Sequence, residues 1–164
     1  MRMFYKISDK EYSKYVDLFD YEDIVIPTRQ TIKSCGYDFV CPYDVTIKAN
    51  KNGKVYSGIK CELEDDEFLM LAIRSSKAMK EGLVLANQVG IIDADYYNNE
   101  DNEGHIIIGI RNMNDYDVVI KKGDRICQGI IKWQYYFPVL PIPPPLTLVL
   151  GNSSKAIPYL RIMP

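Results

Sequence analysis

The chain has 164 residues, 47% of them apolar, with a net charge of −2 and a pI of ≈ 5.5; this suffices for one domain with a real core, or one domain and a tail. The acidic balance argues against a polyanion-binding surface, because nucleic-acid binders usually carry a basic stripe, so no direct nucleic-acid contact is expected while a small anionic ligand with a divalent cation stays open. The apolar runs fall short of the roughly 20 residues of a membrane span, and Met1-Arg-Met-Phe-Tyr-Lys6 lacks a signal-peptide core; no membrane and a cytoplasmic address are expected.

In chain order, Asp9 to Phe19 predicts a short helix capped by Asp9, with Tyr12, Tyr15, Val16 and Phe19 on its apolar face. Nothing after it reads as convincingly helical. Short β-rich segments follow at Asp38–Val40, Val45–Ala49, Lys54–Leu63, Phe68–Ile73, Leu83–Ala86, Val89–Ile92, His105–Arg111, Val118–Ile120 and Arg125–Trp133. Turn signals separate them at Asn50–Gly53, Glu64–Asp66, Asn98–Gly104, Asn112–Asp115 and Lys121–Asp124. Many short strands with regular turns indicate an all-β sandwich or barrel.

A boundary falls near Trp133, dividing a β domain over 1–133 from a proline-rich tail over 134–164. No acidic residue follows Asp124, and seven of the nine prolines lie between Pro138 and Pro164. Proline removes ladder donors, so the tail cannot continue a central strand. Its Leu146–Leu150 run is read either as a further strand, added to an edge or exchanged with a neighbouring subunit, or as an extension.

Cys35, Cys41, Cys61 and Cys127 contain no Cys-x-x-Cys pair and are far in sequence from the only histidine, His105. Free thiols in a reducing compartment fit them better than zinc. Any Ser-His or Cys-His catalytic pair would depend on that one His.

The stretch Asn87-Gln-Val-Gly-Ile-Ile-Asp93-Ala-Asp-Tyr96 reads as a substrate site rather than a core strand. On an alternating strand Asp93 and Asp95 would share a face, and like charges side by side weaken a sheet unless something needs them.

Four segments combine with one another: Ser34-Cys-Gly-Tyr-Asp38-Phe, Ile73-Arg-Ser-Ser76, Asn87 to Tyr96, and Gly123-Asp-Arg-Ile-Cys-Gln128. In order and spacing they resemble the first four motifs of the trimeric dUTP pyrophosphatases, and they span roughly Ile26 to Trp133. The resemblance implies a jelly-roll-like all-β subunit and a homotrimer whose active sites are shared between subunits. It also implies Mg²⁺-dependent hydrolysis of dUTP to dUMP and pyrophosphate, which limits uracil incorporation into DNA.

By that resemblance Asp93 is the catalytic carboxylate that contacts the deoxyribose 3′-hydroxyl and orients the attacking water, and a carboxylate can accept that water's proton. Tyr96 packs under the sugar and leaves no room for a 2′-hydroxyl. Asn87 lies in a strand-turn-strand whose main chain reads the uracil edge, and Gly90 permits the close approach. Arg74, Ser75 and Ser76 form the phosphate motif, with Ile73 where a proline usually stands; a forked guanidinium and hydroxyls suit a triphosphate. Gln128 reaches toward the phosphates. Asp38 orders Arg74 or the Mg²⁺ hydration shell, and Mg²⁺ is held largely by substrate phosphates. The run Glu64-Asp-Asp-Glu67 is read as a solvated turn, and Asp95 carries no assigned task.

The related dCTP deaminases share Arg-Ser-Ser but carry a glutamate in Gly-His-x-x-x-Glu; here the sequence is Gly104-His-Ile-Ile-Ile-Gly109, and glycine performs no acid–base chemistry. The fifth family motif, a glycine-rich lid with an aromatic and an Arg, has no counterpart after Trp133. A nucleotide-binding or regulatory protein with weak or no turnover is therefore the alternative to the hydrolase, with a dCTP deaminase ranked behind it.

Overall fold

The computed structural model describes residues 2–134. The tail from 135 onward, and with it the strand expected at Leu146–Leu150, lies outside the described residues. The chain forms β1 (Met3–Lys6), α1 (Asp9–Tyr12), β2 (Tyr37–Val40), β3 (Val45–Ile47), β4 (Asn52–Tyr56), β5 (Ile59–Glu62) and β6 (Glu67–Ile73). It continues through α2 (Ser75–Glu81), β7 (Leu83–Leu85), β8 (Gly90–Asp93), β9 (Ile107–Asn112), β10 (Val118–Ile120) and β11 (Arg125–Trp133).

All ladders are antiparallel. A four-stranded sheet runs β2-β11-β6-β8 and a three-stranded sheet runs β4-β9-β7, with the pairs β1-β5 and β10-β3 completing the jelly-roll-like β fold. Period-two patterning builds the core: Leu69 and Leu71 of β6, and Ile108 and Ile110 of β9, point inward while their neighbours do not. They meet Phe39, Leu83, Leu85, Ile120 and Ile126, each contributing about 1.5–3 kcal/mol by burial. Gly129 sits where a Cβ would lie 2.8 Å from the Phe39 ring, so β11 passes the core only without a side chain there.

Most expected strands form, Val118–Ile120 and Arg125–Trp133 residue for residue. Three expectations are corrected. The N-terminal helix is capped by Ser8, not Asp9, and closes after Tyr12; turns carry the chain to Phe19, so Tyr12, Tyr15 and Phe19 pack inward while Val16 is exposed. The segment Lys54–Leu63 is two strands, because Gly58 adopts φ +71° and turns the chain between β4 and β5. A helix, α2, follows Arg74 where nothing helical is expected, ended by Gly82 at φ 63° as a left-handed cap. Strand β1 was not anticipated; it pairs with β5 and inserts Phe4 edge-on against Phe39.

Candidate active site

Two groups of the expected residues are built by the ladders, at opposite ends of β6. At its C-terminal end, β2 and β11 set Gln128 directly opposite Asp38, and the N–H of Arg74 bonds the Ile126 carbonyl at 3.1 Å. Asp38 is 2% exposed and draws three donors. Arg74 forms an ion pair with it, Arg125 Nη1 donates from 3.3 Å and Gln128 Nε2 donates from 3.3 Å. A buried carboxylate demands such partners. Arg125 belongs to the expected fourth segment but had no assigned role.

Arg74 is also the backbone N-cap of α2, so exposed Ser75 and Ser76 occupy its first turn, where N–H groups lack intrahelical acceptors. Lys77 clips this helix to the next turn, donating to Asp124 Oδ2 at 2.7 Å and to Glu81 at 2.9 Å. Burial alone would lower the Lys77 pKa, but its bonds to the two carboxylates raise it. Burial opposes ionisation of Asp124, yet Lys77 and the Lys121 N–H bring its pKa below the usual value. The result is a cleft of about 360 Å³ lined by Arg74, Ser76, Lys77, Glu81, Asp124 and Arg125.

At the other end of β6, Asp93 closes β8 opposite Phe68. The strand stops there. Ala94–Tyr96 is a 3-10 turn, so the alternation expected to align Asp93 with Asp95 does not apply. Both acids are exposed and line a cavity of about 430 Å³ together with Asp65, Glu67, Ala94 and Gln134. Glu67, read as part of a solvated turn, opens β6 instead: it is 2% exposed and pairs with Arg2 at 2.6 Å. Tyr96 is half-buried, with its hydroxyl held by Asn102 at 2.8 Å.

The expected strand-turn-strand around Asn87 is not a paired hairpin. β7 belongs to the three-stranded sheet and β8 to the four-stranded one, so Ala86–Val89 is an exposed link between sheets. Gln88 bonds the Leu85 carbonyl at 3.0 Å and Val89 that of Asn87 at 2.7 Å, with Gln88 at φ 64°. Gly90 is buried, and a Cβ there would lie 3.0 Å from Leu71 Cβ; its local reason is packing of β8 on β6.

Six residues of extended chain separate Phe68 from Arg74, about 20 Å at ~3.3 Å per residue. One chain therefore does not bring Asp93 and Tyr96 to Arg74 and Gln128.

His105 is fully buried, its Nε2 accepting the Gly58 N–H at 2.9 Å, and burial pushes its pKa down to about 4. That suits a structural imidazole. Cys41, Cys61 and Cys127 are buried free thiols and Cys35 is an exposed one; burial raises Cys41 to about 11 and Cys61 to about 12. Among the described residues no helix is long and apolar enough to cross a membrane.

The chain matches the dUTPase family model over residues 22–148. A deoxyuridine 5′-triphosphate nucleotidohydrolase of Lactococcus lactis is 45% identical over 107 residues, which cover 65% of this chain and 71% of that protein. The crystal structure of dUTPase from Streptococcus mutans is similar with a TM-score of 0.70 at 38% identity, over 82% of this chain and 97% of that one. A mutant dUTPase from phage phi11 of S. aureus, described as coordinating a structural Mg(II) ion, is similar in fold alone, at 17% identity and TM-score 0.64 over 83% and 92% of the two chains. With the family match running through both groups of residues and a relative this close in sequence, the chain belongs to the dUTPase family.

Proposed function

We propose that the protein hydrolyses dUTP to dUMP and pyrophosphate, with each active site composed of the acidic half of one subunit and the basic half of another in a homotrimer. The separation of Asp93 and Tyr96 from Arg74 and Gln128 along β6 carries this reading. Each half is chemically coherent, and neither is sufficient alone.

In this reading Tyr96 lies under the deoxyribose and the exposed Ala86–Val89 link, with Asn87, offers main-chain and amide groups to the uracil edge. Asp93, exposed at a strand end, holds a water in line with the leaving group and takes its proton as the bond to phosphorus forms. Arg74, Arg125, Gln128 and the first turn at Ser75–Ser76 receive the triphosphate. Buried Asp38 positions the two guanidiniums and the amide rather than binding metal, since its oxygens already serve these donors.

Mg²⁺ fits as a companion of the substrate. Among the described residues no group of three or more His, Cys, Asp or Glu side chains is arranged to hold a metal, and Mg²⁺ commonly binds through phosphates while keeping waters. When bound it would neutralise phosphate charge.

Pyrophosphate release measured with dUTP, UTP, dTTP and dCTP in the presence of Mg²⁺ tests the assignment. Turnover should be confined largely to dUTP, and Asp93→Asn should lower kcat by at least about 100-fold while nucleotide binding persists. The proline-rich composition of residues 134–164, with Gly151 their one glycine, favours a second reading, nucleotide binding with slow turnover. Tight binding of dUTP without hydrolysis would select it.

A further inference from the structure

We infer that Asn102 is the positioning residue for sugar discrimination: it holds the Tyr96 hydroxyl while Asn99 holds the Tyr96 backbone carbonyl, and the preference for deoxyribose over ribose depends on that lock. This rests on the reading of Tyr96 as the sugar platform. The segment that follows Tyr96 folds back on it. Asn102 Nδ2 donates to the Tyr96 hydroxyl at 2.8 Å and to the His105 carbonyl at 3.2 Å, and the Tyr96 hydroxyl donates to the same carbonyl at 3.2 Å. Asn99 Nδ2 donates to the Tyr96 carbonyl at 2.8 Å, fixing the other end of the residue.

The two amides also hold each other. Asn99 Nδ2 donates to Asn102 Oδ1 at 3.0 Å, Asn102 Oδ1 accepts the Gly104 N–H at 3.1 Å, and Asn99 Oδ1 accepts the N–H groups of Asp101 and Asn102, each at 3.0 Å. Gly104 is obligatory for the fold-back: its φ is +80°, and a Cβ would stand 2.6 Å from the Tyr96 carbonyl oxygen. The loop is anchored from outside as well. Glu103 accepts from Ser8 Oγ at 2.8 Å and Lys60 Nζ at 2.5 Å, and Lys60 also donates to Asn98 at 2.8 Å.

A tyrosine excludes a 2′-hydroxyl only if its ring cannot swing aside. With two torsions and a hydroxyl held by a fixed amide, Tyr96 has little freedom to make room, so the steric penalty against ribose stays in force. Releasing the hydroxyl lets the ring yield, which helps UTP and loosens the fit of dUTP.

The test compares kcat/KM for dUTP and UTP in the wild type, Asn102→Leu, Tyr96→Phe, their combination, and Tyr96→Ala; where UTP turnover is too slow to follow, inhibition constants of dUMP and UMP replace it. Asn102→Leu should narrow the dUTP:UTP ratio by about three- to tenfold, the range expected for one anchoring hydrogen bond. The change should appear mainly in KM for dUTP. Tyr96→Phe, a gentler change, should narrow the ratio similarly, and the combination should be no worse than either alone. A general loss of folding would lower turnover of both substrates in proportion and leave the ratio fixed. If Asn102→Leu fails to fold, Tyr96→Phe decides. An unchanged ratio in Asn102→Leu and Tyr96→Phe, with a changed one in Tyr96→Ala, overturns the lock; an unchanged ratio in Tyr96→Ala overturns the platform reading itself.

Discussion

His105 shows how a single buried residue shapes the response to acid. It lies edge-on to Tyr15 at 4.9 Å, accepts the Gly58 N–H through Nε2, and keeps Nδ1 3.7 Å from Glu11 Oε1. Glu11 favours the protonated ring, but Lys14 already engages that carboxylate at 2.5 Å, and burial is the largest influence. The folded ring therefore titrates at about 4, against 6.5 when exposed. Between these values the unfolded chain holds a proton that the folded one refuses, so stability is complete above pH 6.5 and declines as pH falls toward 4, by up to about 3 kcal/mol. Urea unfolding of the wild type and His105→Gln at pH 7.5, 6 and 5 checks this. The fall with acid should be shallower in the variant, and an equal fall would assign it to other groups. At this scale the sequence was informative where chemistry is local: a solitary His remote from every Cys is not a catalytic pair. The resemblance joined Asp38 to Arg74 but not to Arg125 and Gln128, which reach it from the neighbouring strand β11, and a solvated turn is the wrong reading of Glu67, which is buried against Arg2 of the N-terminal segment.

Among the elements, the sequence signals neither β1 nor α2, and α2 is the one that presents Arg74, Ser75 and Ser76. Two turns of Ser-Ser-Lys-Ala-Met-Lys-Glu are too short for a clear 3.6-residue pattern, since only Lys77 of the seven is buried. The available signal was its ending, good helix formers followed by glycine. Gly82 takes φ 63°, and a Cβ there would meet Asn114 Oδ1 at 2.6 Å. Gly82→Ala should therefore lower stability by about 1–2 kcal/mol through left-handed strain and displacement of the Asn114 cap on the Glu81 carbonyl. Thermal unfolding monitored by circular dichroism checks it; an unaltered midpoint would mean the turn relaxes freely. Strands were more legible, because alternation survives in short segments such as β6 and β9. Where it misled, one glycine or one turn intervened: Gly58 splits β4 from β5, and the turn at Ala94 releases Asp95 from the face of Asp93.

For the whole molecule, the distance between the two groups of residues follows from register, and register between β6, β8 and β11 is not written in any one segment. Motif order along the chain could not reveal it. Mixing subunits tests the division. Asp93→Asn and Arg74→Ala variants, each inactive alone, should recover about one quarter of wild-type dUTP turnover when unfolded together and reassembled at equal ratio, because only sites pairing two intact halves work. No recovery would indicate that each chain supplies a complete site. The Ala86–Val89 link has a wider consequence. It is the seam where one sheet hands the chain to the other, so spreading of the two layers, from a cavity opened in the core or from heat, would shift the groups that the proposed function assigns to the uracil edge. On that proposal, choice of nucleobase would gauge how tightly the layers are closed.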